Sequence, residues 1–456
     1  MSMKIVIIGG GSFTWTPTLA GDLFLREPLR GGHLSLVDLD RNAAESMKRY
    51  CDMMNEALKS EWTIAAESLE QALVGADVVC VSISTGGLAA MHEDYHIPEK
   101  YGVYHTVGDT VGPGGISRTL RNVPVMVDIA RQMEKLCPNA WMVHVTNPLS
   151  QLTRAVAKAT SIKVVGLCHN FSGTVSMLAN YLDAAYDDID AVSVGVNHYT
   201  WMKRITCKGK PVDHLLTLDR YVDYHREKHA ALLTNTTDDM IKEALEMKTN
   251  MEYYLNFVLH ERLGYFPVGS SNHVAENLPY YCNDEETLRR YHIRRKGVLP
   301  RRQTLIDNRK RQIEQVLSGE RPVPAPKLSR EGLSAICEAL LTGKPERIIV
   351  TMPNEGQISN LPLHAAVETW AIAGGGGIHP VMSGDVPDVV LGSMLSIVTE
   401  QELTVEAALS GDKDLVRKAL YVSPIVHRKD AVEALAGELL EAHKAYLPQF
   451  FGTVTA

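Results

Sequence analysis

Apolar residues run almost unbroken through Lys4-Ile5-Val6-Ile7-Ile8, the pattern of a strand covered on both faces, and Gly9-Gly10-Gly11-Ser12 follows at once. An amphipathic run then continues to Leu25 and predicts a helix, and Leu34-Ser35-Leu36-Val37 predicts a second strand. Residues 77–84 (DVVCVSIS), 141–146 and 162–167 read as strands, while about 115–136 and 149–159 read as helices. Alternation of this kind predicts a parallel, doubly wound α/β sheet. After about residue 190 the texture changes to a strand running into His198, a hairpin across Lys208-Gly209-Lys210, and long helical segments to about 318. The Pro-rich stretch 321–327 (RPVPAPK) predicts a loop, after which a mixed α/β pattern returns. Two domains are expected, an N-terminal sheet domain over 1–190 and a larger C-terminal α+β domain over 191–456. No internal repeat or low-complexity tract interrupts them.

The composition suits a cytoplasmic enzyme: 456 residues, 45% hydrophobic, net charge −8. Nothing in that charge points to nucleic acid. The chain starts into its first strand at residue 4 without a basic-then-apolar leader, and no apolar stretch approaches the ~20 residues of a membrane span. Seven cysteines, at 51, 80, 137, 168, 207, 282 and 337, show no paired CxxC spacing and are expected to be reduced.

A strand, a tight glycine turn and a helix start together make an anion site, because glycine lets backbone N–H groups approach a pyrophosphate and the helix N-terminus adds positive potential. Gly9, Gly11, Ser12 and Phe13 are therefore candidate nucleotide contacts. Asp38, at the end of the second strand, is placed to accept from adenosine ribose hydroxyls, which argues for NAD over NADP. Thr14 stands where the fingerprint has its third glycine. Ligands of such sheets lie at the carboxyl ends of the strands, so Ser84, Thr85 and Asn147 join the cofactor candidates there, with Cys168-His169-Asn170 at the next strand end.

Cys168 in GLCHNF and His198 in GVNHYTW, thirty residues apart, are two soft donors that suit Mn²⁺, Fe²⁺, Co²⁺, Ni²⁺ or Zn²⁺. Two protein ligands leave coordination positions for vicinal substrate oxygens. By spacing alone such a pair is more often a packed thiol and a hydrogen-bonded imidazole than a metal site.

GGGSFTW, residues 105–121 (HTVGDTVGPGGISRTLR), TNPLS at 146–150, GLCHNF, GVNHYTW and 354–368 (NEGQISNLPLHAAVE) together resemble the NAD- and divalent-metal-dependent glycosidases of glycoside hydrolase family 4, from residue 4 to about 430. The resemblance implies the fold of lactate and malate dehydrogenases with an enlarged C-terminal part, NAD and Mn²⁺ as cofactors, and a homodimer or homotetramer. It also implies a mechanism: oxidation at C3 of the sugar, deprotonation at C2, elimination of the leaving group, addition of water and return of the hydride.

By the same resemblance Cys168 and His198 match the metal ligands, and Asn147 matches a residue near the sugar hydroxyls. His after the metal-binding cysteine occurs in members acting on unphosphorylated α-glycosides, so His169 is the candidate general acid. The base is open. The acid found in comparable relatives is missing from 264–273 (GYFPVGSSNH), leaving Tyr265, His273 and Asp109 as candidates. Asn170, Arg118 and Arg121 are substrate candidates. The two arginines, three apart on one helix, suit a carboxylate fork or contacts to cofactor phosphate or protein groups. Residues 105–121 and 272–276 most resemble α-galacturonidase-like members, which favours an α-galacturonide. The alternatives are a 6-phosphoglycoside, an α-galactoside, α-glucoside or α-glucuronide, or the chemistry of an NAD-dependent 2-hydroxyacid dehydrogenase. The basic run Arg289, Arg290, Arg294, Arg295, Lys296, Arg301 and Arg302 reads as a sugar-phosphate site, a solvated helix face or a subunit contact.

Overall fold

A computed structural model describes residues 2–234, 251–295 and 298–452. Helix expected across 235–250, and Lys296 of the basic run, lie outside the described residues. The strands are β1 (Lys4–Ile8), β2 (His33–Val37), β3 (Thr63–Ala66), β4 (Val78–Val81), β5 (Trp141–His144), β6 (Lys163–Gly166), β7 (Ile189–Val196), β8 (Tyr199–Cys207), β9 (Lys210–Pro211), β10 (Phe266–Pro267), β11 (Glu346–Pro353), β12 (Ala366–Gly374) and β13 (Gly377–Pro380).

The six N-terminal strands pair in parallel in the order β3-β2-β1-β4-β5-β6, the doubly wound dinucleotide-binding arrangement that the resemblance to lactate and malate dehydrogenases implies. Both faces are covered, which explains the unbroken apolar runs. Val6, Val79 and Val81 face one cluster with helices Gly112–Leu136 and Asp388–Ser410, whereas Ile5, Ile7 and Cys80 face helices Thr16–Phe24, Arg41–Leu58 and Leu333–Thr342.

The sheet does not end with β6. Strands β11, β12 and β13 continue it antiparallel, with Thr351 opposite Gly166, to a total of nine strands. A second sheet, β10-β8-β7, carries the turn at Asn197-His198, and β9 pairs with β8 through the turn at Lys208-Gly209, both residues at positive φ. Residues 321–327 have no regular structure, as the prolines predict. All seven cysteines are free, and among the described residues no helix is long and apolar enough to cross a membrane.

Candidate functional site

The glycine loop lies flat on the ends of the strands. Gly9 and Gly10 donate their N–H groups to Val37 O at 2.8 and 2.9 Å, and Gly11 N–H donates to Asp38 Oδ2 at 2.9 Å. A Cβ on Gly9, at φ +86°, would fall 2.0 Å from Ser82 O, and one on Gly11 would fall 2.9 Å from Asp38 Oδ2. This bare backbone beside an acidic strand end fits a pyrophosphate and ribose. Ser12 Oγ accepts from Trp15 N–H at 3.1 Å, and Phe13 packs on the core with Lys310 Nζ 5.8 Å from its ring centre.

At the ends of β4 and β5 the two arginines have different fates. Arg118, buried, donates Nη2 to Ser84 Oγ at 3.2 Å and Nε to Asn147 O at 3.1 Å, so it lies across the crevice. Arg121 does not share that place. Its guanidinium pairs with Asp94, itself 3.0 Å from His443 Nε2, and its Nε donates to Thr85 O at 3.1 Å. Of the two readings of this pair, carboxylate fork or contact to phosphate or protein groups, Arg121 takes the second, its guanidinium filled by the buried Asp94 carboxylate. Thr85 is held from the other direction by its N–H to Asn122 Oδ1, 3.1 Å.

Cys168 follows β6 half-buried, and its sulfur meets the Asn197 side chain, one residue before His198. Burial pushes the thiol pKa well up, and the nearby Glu368 carboxylate adds to this. Glu368, raised by burial too, accepts from Asn197 Nδ2 at 2.7 Å and Thr200 Oγ1 at 3.1 Å. His198 stands at φ +65° in the β7–β8 turn. Its Nδ1 is 2.8 Å from Thr110 Oγ1, whose hydroxyl donates to Asp109 Oδ1 at 2.9 Å. Since the threonine proton is committed to Asp109, Nδ1 carries the ring proton and the lone pair resides on Nε2. Burial lowers the His198 pKa to about 4, so the imidazole is neutral as a ligand must be. Burial pushes Asp109 up, yet Arg302, His198 and Arg118 outweigh it and hold the carboxyl well below the usual range, with Arg302 Nη2 at 3.0 Å.

Among the described residues no three His, Cys, Asp or Glu side chains form a metal cluster. A neutral imidazole with an available Nε2 and a thiol one residue contact away fit a divalent cation bound by two protein donors with positions left for substrate.

The candidate bases separate clearly. The ring of His273 meets that of His198 edge-on, centroids 4.8 Å apart, its Nδ1 is 2.9 Å from Ser270 Oγ, and burial, then His198, lowers its pKa to about 3. Asp109 is spent on Thr110 and Arg302. Tyr265 is partly buried against the apolar cluster that includes Trp201 and Leu259. His169 is exposed at the N-cap of the helix Asn170–Tyr181, and Asn170 is buried with Nδ2 lacking a partner among the described residues. A buried orphan donor at a strand end suits a sugar hydroxyl. Of the basic run, Arg302 reaches the site, while Arg295 is wedged between Tyr95 and Tyr104 with Nε on His105 O. A cavity of about 380 Å³ beside His273 is lined by Asn272, Arg294, Arg301 and Arg302.

Thr110, Asn197 and Glu276 were not singled out by the sequence pattern as parts of the site, and Arg302 was read there only as one of a basic run, without Asp109 as its partner. Each acts through a partner 29 to 193 residues away, a separation that no local spacing reveals.

The loop carrying Asp109 is anchored again at Gly112, whose N–H donates to Glu400 Oε1 at 2.9 Å. Burial raises Glu400 from 4.5 to about 7. Folded and unfolded chains both hold this proton below pH 4.5; between 4.5 and 7 only the folded chain does, so its contribution to stability falls as pH rises through that window. Relative to the parent, Glu400→Gln is expected to gain on the order of 3 kcal/mol between pH 4.5 and 7.5, read by urea unfolding. An identical pH slope in both proteins would contradict the assignment.

Models of the family 4 glycosyl hydrolases match residues 4–184, and models of their C-terminal domain match 193–426. The chain is 34% identical to an α-galacturonidase of Thermoanaerobacterium saccharolyticum, covering 98% of this chain and 96% of the relative. The crystal structure of a Bacillus subtilis protein described as a candidate glucosidase, lplD, superposes with a TM-score of 0.83 at 31% identity, over 96% of this chain and all of that one. A 6-phospho-β-glucosidase of Thermotoga maritima, solved with manganese, NAD⁺ and glucose-6-phosphate, shares the fold at TM-score 0.77 and 22% identity, over 97% of this chain and 99% of its own. The chain belongs to family 4 of the glycosyl hydrolases. It is a glycoside hydrolase, which sets aside the 2-hydroxyacid dehydrogenase alternative.

Proposed function

We propose that this glycosidase cleaves unphosphorylated α-galacturonides, using NAD and a divalent cation, Mn²⁺, held by Cys168 and His198. The observation that carries the reading is the convergence on one crevice of a glycine loop, an Nε2-ready imidazole and the Arg118 guanidinium. When bound, NAD supplies a reversible hydride acceptor and the cation polarises neighbouring sugar oxygens. Arg118 offers a planar cation to the substrate carboxylate, and Asn170 Nδ2 donates to a hydroxyl. His169, exposed beside Cys168, gives a proton to the leaving oxygen. His273, whose ring abuts that of His198, takes the C2 proton on its unprotonated ring nitrogen. The relative named an α-galacturonidase supports the sugar; the His after Cys168 supports the lack of a phosphate.

The test is a panel of aryl α-galacturonide, α-glucuronide, α-galactoside, α-glucoside and 6-phosphoglucoside with NAD⁺ and Mn²⁺ under reducing conditions. The galacturonide is expected to turn over fastest with no net NADH. Turnover of the phosphorylated sugar alone would overturn the proposal. The enzyme works in the cytoplasm as a homodimer or homotetramer, the latter read by light scattering.

A further inference from the structure

Glu276 closes the short helix Ser271–Glu276 and is 2% exposed. Its Oε1 accepts from the successive backbone N–H groups of Thr106, Val107 and Gly108 at 3.1, 3.2 and 2.8 Å. Three consecutive N–H groups turned to one point form a concavity built for an anion. Here the chain fills it with its own side chain. The same oxygen lies 2.7 Å from His105 Nδ1. His105 Nε2 accepts from Gly114 N–H at 3.0 Å, so the proton is on Nδ1 and points at Glu276.

The residues on either side of these contacts hold the candidate metal ligand. Asp109 and Thr110 follow Gly108 directly and set the His198 tautomer. On the helix side, His273 abuts the His198 ring, and Asn277, next after Glu276, donates Nδ2 to His198 O at 2.9 Å. Glu276 touches neither Cys168 nor His198 in any hydrogen bond, yet both arms that fix His198 meet at its carboxylate.

We infer that Glu276 is a positioning residue for the cation: it locks segment 105–110 against the helix so that Thr110 presents His198 with Nε2 outward. The inference rests on the reading of Cys168 and His198 as metal ligands. Breaking the supports behind a metal ligand typically lowers metal affinity 10- to 100-fold.

The decisive measurement is Mn²⁺ affinity of the NAD⁺-bound enzyme, read from the EPR signal of free Mn²⁺, for the parent and for Glu276→Gln. The variant keeps the shape of the side chain and replaces the carboxylate with a neutral amide. Its Mn²⁺ dissociation constant is expected to rise about tenfold, with NAD⁺ affinity within twofold. A residue that serves the fold alone lowers the unfolding temperature and leaves Mn²⁺ affinity of the folded enzyme unchanged, so a dissociation constant within twofold of the parent overturns the inference. In a Thr110→Val background the same exchange is expected to add less than twofold, because the route is already cut; full additivity overturns it too. Should Glu276→Gln not fold, His105→Asn, which removes one donor to the same oxygen, is read against the same thresholds. A parent that binds no Mn²⁺ overturns the metal reading itself and this inference with it. A parent that binds and a variant that binds equally overturns the inference alone.

Discussion

Cys168→Ala and His198→Ala are each expected to lower kcat by about 10³-fold or more while the NAD⁺ dissociation constant stays within a few fold of the parent. The two sites are joined by the crevice but built by different elements. The proposed NAD⁺ contacts are the loop after β1 and Asp38, whereas the soft donors follow β6 and occupy the β7–β8 turn. Intrinsic quenching by NAD⁺ beside steady-state kinetics separates the two effects. Equal loss of NAD⁺ binding and turnover would mean that these side chains support the nucleotide site, and the assignment of roles would fail.

Arg121→Ala is expected to destabilise the protein by about 3–5 kcal/mol, because it strands the buried Asp94 carboxylate with His443 as its remaining partner. Arg121 is 1% exposed, so solvent cannot replace it. Urea or thermal unfolding reads the loss directly. A substrate-binding arginine behaves differently: its removal raises KM in the enzyme that remains folded. That second pattern is expected of Arg118→Ala, and finding it for Arg121 would reverse the assignment drawn from the geometry.

Legibility in the sequence followed the range of the interaction. β1, its glycine loop and Asp38 are written in consecutive residues, as are the helix Leu149–Ala159 and the Lys208-Gly209 turn, and all can be read from pattern and turn chemistry. Cys168, His198 and His169 emerged only when several motifs were matched in order, since a thiol and an imidazole thirty residues apart carry little on their own. The partner of Arg121 could not be read at all. Two arginines on one helix face look alike until Asp94 is known to lie under one of them, and that depends on how the helix Gly87–His96 packs. The four-residue strand β3, with Ile64 as its one buried side chain, also lacks an apolar run to announce it.

The pairing of β11 beside β6 has a consequence for biosynthesis. Strand β6 is made about 180 residues before the segment that pairs with its open edge. A nascent chain emerging N-terminus first therefore exposes an unpaired hydrogen-bonding edge for as long as that segment is still being translated, and such edges recruit other chains. Truncation upstream of Glu346 should leave the same edge bare permanently, so the dinucleotide half expressed by itself is expected to self-associate.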